Sequence, residues 1–235
     1  MDIAPIPRAA VSDAVFARIA TEILSGRLAV DEPLPSEREL SLSFAVNRHA
    51  VREALKRLQQ ARLVRISHGG KTRVLNWRET AGLDVLSMLA ASGSVPALQI
   101  LGDIATMRRS VGADAARLCA QAASDEQLAA IAAAARAYPS SPPSGPDATF
   151  AADLAFWVAV IDGSGNLAYR LALNTLVAAF DDIGWQAIAD LGAAAEFTDR
   201  DAHIALADRL AARDADGAHR LADELLGRIV ATLST

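Results

Sequence analysis

At 235 residues with 52% hydrophobic content, the chain can form one large or two ordinary domains and is not disordered throughout. Aromatic residues are only 5% and alanine is abundant, which favours close-packed helices over a sandwich or barrel. The net charge of -5 is uneven: residues 1–78 hold 13 Lys+Arg against 8 Asp+Glu, and the remainder 10 against 20, so a basic head precedes an acidic body.

In chain order, Val15, Ile19, Ile23 and Leu24 share one face of a helix predicted over Val11–Ser25, with Ser12 as its N-cap and Gly26 as its stop. Pro33 and Pro35 force an extended connection. Ser36, with Glu39 three residues on, has the capping-box spacing and starts a second helix whose Leu40 and Phe44 face inward. A turn at Ala45–Val46 leads to a third helix capped by Asn47. Val51, Leu55 and Leu58 form its inner face, and Arg48, His49, Arg52, Lys56 and Arg57 populate the others. Leu63–Ile66 and Thr72–Leu75 alternate as strands around His68-Gly69-Gly70-Lys71.

This order describes a winged helix-turn-helix, whose third helix enters the DNA major groove. Arg48, His49 and Arg52 lie at the end where a recognition helix meets base edges, and an arginine there offers a bidentate fork to guanine O6 and N7. Lys56 and Arg57, a turn further on, serve phosphate or solvent. The wing tip is expected to touch the minor groove or backbone. A charged hairpin on a small structural domain is the plainer account, but helix order, turn and wing coincide.

From Glu79 onward the pattern is helical: segments are predicted near 79–92, 96–122, 124–137, 148–162, 165–184, 197–212 and 214–232, with Tyr138–Pro146 as the clearest loop. The division falls at 1–77 and 78–235. The only lysines are Lys56 and Lys71, so the body cannot form a lysine Schiff base. No Gly-rich phosphate loop follows a strand and no Ser-His-Asp spacing stands out, so no enzyme is expected. No apolar run reaches membrane-spanning length and no secretory leader opens the chain. The single cysteine, Cys119, forms no internal disulfide, and the expected compartment is the cytoplasm.

The stretch PSERELSLSFAVNRHAVREALKRLQQARLV resembles the signature of GntR-family transcription regulators. HGGKTRVLNWRETAGLDVLSMLA resembles the hinge of the FadR branch, its fatty-acid regulators in particular. The resemblance covers nearly the whole chain, more weakly after residue 95. It implies a mainly α protein: a winged helix-turn-helix followed by an antiparallel helical bundle, the FCD-type ligand-binding and dimerisation domain. DNA contacts then map onto Arg38, Arg48, Arg52, His68, Gly69 and Lys71, with His49 standing where a small hydroxyl residue is usual. Arg62 replaces the usual glycine, so the third helix ends without its favoured left-handed residue.

The resemblance also bears on the body. Many relatives bind a divalent metal there through an aspartate, a histidine four residues later and two further histidines. The matching positions here are Asp153, Trp157, His203 and Leu225, and one carboxylate with one imidazole does not close a metal site. His219 and Glu224 are out of helical phase with position 225. No metal or other cofactor is therefore expected, and a metal-free apolar pocket suits an acyl chain or another largely hydrophobic effector. Arg108 matches a pocket arginine of relatives and would pair with a ligand carboxylate or phosphate, or else form an inter-helix salt bridge. Asp153, Tyr169 and Asn174 are weaker pocket candidates, and Gly112, in place of an acidic residue, leaves more room. The partners implied are double-stranded DNA carrying a short pseudo-palindrome, a small-molecule effector (an acyl-CoA or organic acid) and a second copy of the chain. The alternative is an architectural DNA binder without an effector.

Overall fold

The structure is a computed structural model that describes residues 8–67, 70–138, 146–183 and 195–233. The chain divides into two compact units, Met1–Ala97 and Leu98–Thr235.

In the first unit, α1 (Arg8–Leu24) packs on α3 (Arg48–Gln60) through the buried faces of Val15, Ile19 and Ile23 on one side and Val51, Leu55 and Leu58 on the other. Helix α1 begins before Val11, so Ser12 lies inside it rather than at its N-cap; Gly26, at φ 76°, stops it as the pattern requires. Ser36 and Glu39 form the capping box of α2 (Glu37–Ser43). Ala45, at φ 54°, makes the turn, and Asn47 then accepts a hydrogen bond from the Ala50 amide at 2.8 Å to start α3. The end of α3 differs from expectation. Arg62 itself adopts the left-handed conformation, at φ 57°, in place of the missing glycine.

Strands β1 (Val64–Arg65) and β2 (Arg73–Val74) pair antiparallel, with Val64 opposite Val74. They are shorter than predicted, and a bridge from Pro33 to Arg73 adds the inter-helix connection to the wing.

The helix expected over 79–92 is broken. It resolves into α4 (Trp77–Thr80), a 3-10 turn (Leu83–Val85) and α5 (Leu86–Ser92). The Thr80 hydroxyl donates to the carbonyls of Arg62 (2.8 Å) and Asn76 (2.9 Å), tying this turn to the end of α3, and Ala81 and Gly82 are extended. Helix α5 packs on α1 in the first compact unit, which extends beyond residue 77.

The second unit is a bundle of α6 (Ala97–Ala122), α7 (Asp125–Arg136), α8 (Pro146–Gly163), α9 (Leu167–Ile183), α10 (Ala195–Thr198), α11 (Arg200–Ala211) and α12 (Ala215–Leu233). Five of the six segments predicted for this unit follow the sequence pattern closely. The segment at 197–212 splits because Asp199 leaves the helix to cap α11, accepting from the Ala202 amide at 3.0 Å and pairing with Arg228 at 2.6 Å. The core joins Ala116 and Cys119 of α6, Phe156 and Trp157 of α8, Leu206 of α11 and Leu225 of α12. Its small alanines let the helices approach closely. Burial pushes the Cys119 thiol up to about 11, which suppresses its reactive thiolate. Among the described residues, no helix is long and apolar enough to cross a membrane.

Candidate DNA-binding face and buried charge cluster

Arg38 of α2, Arg48, His49 and Arg52 of α3 and Lys71 beside the wing are all exposed. The opposite face of α3 is sealed by Val51, Ala54 and Leu58, each fully buried, so helical phase alone turns the basic residues outward. Arg48 and His49 lie in the first turn, next to the Asn47 cap, where amides favour an anion. Arg52 is engaged. Its Nε and Nη2 donate to the Glu37 carboxylate at 3.1 and 2.8 Å, and this guanidinium holds the Glu37 carboxyl below its usual range. Lys56 pairs with Glu53 at 2.9 Å. Arg57 turns back onto α1, where it pairs with Asp13 and lies 4.4 Å from the Phe16 ring centre. An open groove of about 740 Å³ runs between Glu37, Arg52 and Lys56 on one side and Ser67, Lys71 and Thr72 on the other. His68 and Gly69, the expected wing-tip contacts, lie outside the described residues.

Asp153, Trp157 and His203 come together in the bundle with Arg108. Asp153 is buried; its carboxylate accepts from Arg108 Nη2 at 2.8 Å and from the Tyr138 hydroxyl at 3.0 Å. Burial alone would raise the Asp153 pKa, but the Arg108 charge, the neighbouring His203 ring and the bond from Tyr138 outweigh it and hold the carboxyl below its usual range. His203 is fully buried. A carbonyl only accepts, so Nδ1 carries the proton it donates to Asp199 at 2.7 Å. The ring stacks on Tyr138 at 3.9 Å. Arg108 also lies 5.3 Å from the Phe197 ring centre and 5.8 Å from that of Trp157.

A cavity of about 40 Å³ borders this cluster, lined by Ile104, Arg108, Asp153, Trp157, Leu173 and Phe197 among others. It has room for a few waters at most. Tyr169 and Asn174 do not line it: Tyr169 donates to Asp114 at 3.0 Å, and Asn174 is exposed and bonded to Arg170. Gly112 does not leave the room expected of it. A Cβ there would lie 2.4 Å from Leu226 Cδ1 and 3.3 Å from Trp157 Cζ3, so Trp157 and Leu226 already occupy the space.

These residues do not fit a divalent ion. Asp153 Oδ1 and His203 Nε2 are 3.7 Å apart, and Nε2 has no hydrogen-bond partner among the described residues. The two remaining positions are Trp157 and Leu225, both core residues, and the Arg108 guanidinium already supplies the positive charge facing Asp153. No group of three potential ligands gathers among the described residues.

Sequence reasoning missed two partners. The sequence pattern makes Tyr138 the start of a loop and gives Glu37 no role. Such a pattern does not report a contact 15 residues away.

A winged helix-turn-helix with an outward basic helix, joined to an all-helical second unit, defines a class of DNA-binding regulators. Residues 11–74 match the model for bacterial regulatory proteins of the gntR family and residues 103–228 match the FCD domain, so the chain belongs to the GntR family of transcription regulators with an FCD domain. HTH-type transcriptional regulator Mce2R of Mycobacterium tuberculosis is 33% identical over 226 residues, covering 96% of this chain and 92% of that one. The fatty acid metabolism regulator protein of Enterobacter sp. (strain 638) is 30% identical over 177 residues, covering 74% and 72%. Among solved structures, E. coli McbR/YncC matches with a TM-score of 0.50 at 16% identity, over 95% of this chain and 97% of that one. The structure described as "Lar controls the expression of the Listeria monocytogenes agr system and mediates virulence" gives 0.55 at 15% identity, over 100% and 99%. These two likenesses show the fold alone.

Proposed function

We propose that this regulator is a cytoplasmic homodimer that reads a short pseudo-palindromic operator and answers to a small effector in its helical domain. The observation that carries the reading is the outward first turn of α3. There Arg48 and His49 sit exposed beside the Asn47 cap, with Arg52 one turn on. Arg48, His49 and Arg52 face base edges; Arg38, His68, Gly69 and Lys71 hold the backbone or minor groove. The effector enters beside Arg108, Asp153, Trp157 and His203, and its class is an acyl-CoA or organic acid. The apolar lining supports that class, as does the fatty-acid name of relatives at about 30% identity. A cavity this small must open to admit it, so the ligand selects a different arrangement of the bundle. By reciprocity, a ligand that prefers the off-DNA arrangement weakens DNA binding by the factor that DNA weakens its own.

One observation favours a second reading, a DNA binder without an effector: Arg108 already pairs with Asp153 and the cavity beside them is small. Thermal-shift titration with palmitoyl-CoA, octanoyl-CoA and the free acids separates the two. The first reading expects at least one of these to raise the melting temperature and change operator affinity. No shift across the series selects the second.

A further inference from the structure

We infer that Glu37 is a specificity-determining positioning residue: its carboxylate grips Arg52 side-on so that the far edge of the guanidinium meets a guanine. This rests on the reading of α3 as the recognition helix.

A guanidinium carries five N–H donors in a rigid fork. Glu37 takes the Nε–H, at 3.1 Å, and one of the Nη2 donors, at 2.8 Å. The three donors left include the parallel pair on Nη1 and Nη2, the end-on edge whose spacing matches guanine O6 and N7. The side-on grip therefore consumes the edge that is not needed and fixes the plane of the one that is. The Arg52 side chain is 59% exposed, and without this contact it would sample many rotamers that DNA binding must then freeze.

The grip is itself rigidly held. Glu37 is the first residue of α2, directly after Ser36, whose reciprocal bonds with Glu39 lock the turn. A carboxylate in a first helical turn is also favoured by the amides there.

Charge makes the placement informative. Glu37 stands among Arg48, Arg52 and Lys56, all of which stabilise its ionised form, on the face proposed to meet phosphate. An acid here weakens attraction to every duplex alike, so non-specific binding gains nothing from it. Packing does not call for it either, since the buried residues of α2 and α3, Leu40, Val51 and Leu55 among them, hold the two helices together. Ordering one base-reading side chain is what accounts for it.

The test uses the full chain, an operator obtained by selection from random duplexes, its single-base-pair variants and a random duplex. Binding is measured at several salt concentrations for Glu37→Ala, Glu37→Gln, Arg52→Ala and the double variant. The expectation is that Glu37→Ala loses about tenfold of the preference for guanine at one position of each half-site. Arg52→Ala loses the same preference, the double variant loses no more, and the affinity of Glu37→Ala for random duplex stays level or rises. Glu37→Gln, which keeps the shape and one acceptor, falls between. If Arg52→Ala abolishes the preference while both Glu37 variants keep it, the positioning role is wrong and the recognition helix stands. If Arg52→Ala changes no position, both are wrong. An equal loss on all sequences with a lower Tm in Glu37→Ala would make the pair a structural staple and overturn the inference.

Discussion

Arg52 and Arg108 both reach a carboxylate at 2.8 Å, in opposite surroundings. The first pair stands in solvent, where screening leaves it little weight in stability. The second is largely enclosed, with Arg108 17% and Asp153 5% exposed, so little water is at hand to replace either partner. On the proposed reading the head offers its charges to a duplex, while the body uses the enclosed pair to fix an interior.

Breaking the buried pair gives the largest effect expected. Asp153→Ala leaves Arg108 enclosed without its main counter-charge and should cost about 3–5 kcal/mol in a denaturant titration. A cost below about 1 kcal/mol, the range of a solvated pair, would erase the contrast between the two units. The same carboxyl has a pH signature. Its folded pKa is depressed, so its stabilising contribution is complete above the unfolded value near pH 4 and is lost as pH falls through the folded one. Wild type should therefore lose stability on acidification below about pH 4 more steeply than Asp153→Asn; parallel curves would contradict this.

The filled space at Gly112 gives the next effect. Gly112→Ala pushes a methyl against Leu226 and Trp157 and should destabilise by about 1–3 kcal/mol, and Leu226→Ala in the same chain should recover part of it. A neutral Gly112→Ala would mean that the bundle yields easily beside the cavity. The smallest effect belongs to the head. Arg62→Gly removes a left-handed arginine and should raise stability by about 0.5–1 kcal/mol with DNA selectivity unchanged; lower stability would mean that the Arg62 side chain outweighs its backbone strain.

The head was legible because its signals are local. Ser36, Glu39 and Asn47 act within three residues of themselves, and apolar phase alone decides which face of α3 is wet. The wing's existence was readable, but the break at Ala81–Gly82 was not, since it depends on Thr80 reaching back 18 residues to Arg62. In the body the resemblance brought Asp153, Trp157 and His203 to one place, and they do meet. It did not reveal that Trp157 and Gly112 are complementary, the indole lying where a side chain at 112 would go. Helical phase separates Asn174 from the cavity: α9 turns Leu173 and Leu176 inward, and Asn174, about 100° round from Leu173, faces out. Local chemistry fixes elements and faces, whereas the contents of an interior depend on which distant side chain arrives to fill it.

The claim that the outward face of α3 reads DNA sequence is tested most directly by selection from a random duplex pool at moderate salt, run in parallel on wild type and Arg48→Ala. Wild type should enrich one short pseudo-palindrome, while the variant remains folded and enriches none. Enrichment of the same site by both proteins, or of no site by wild type, would contradict the account.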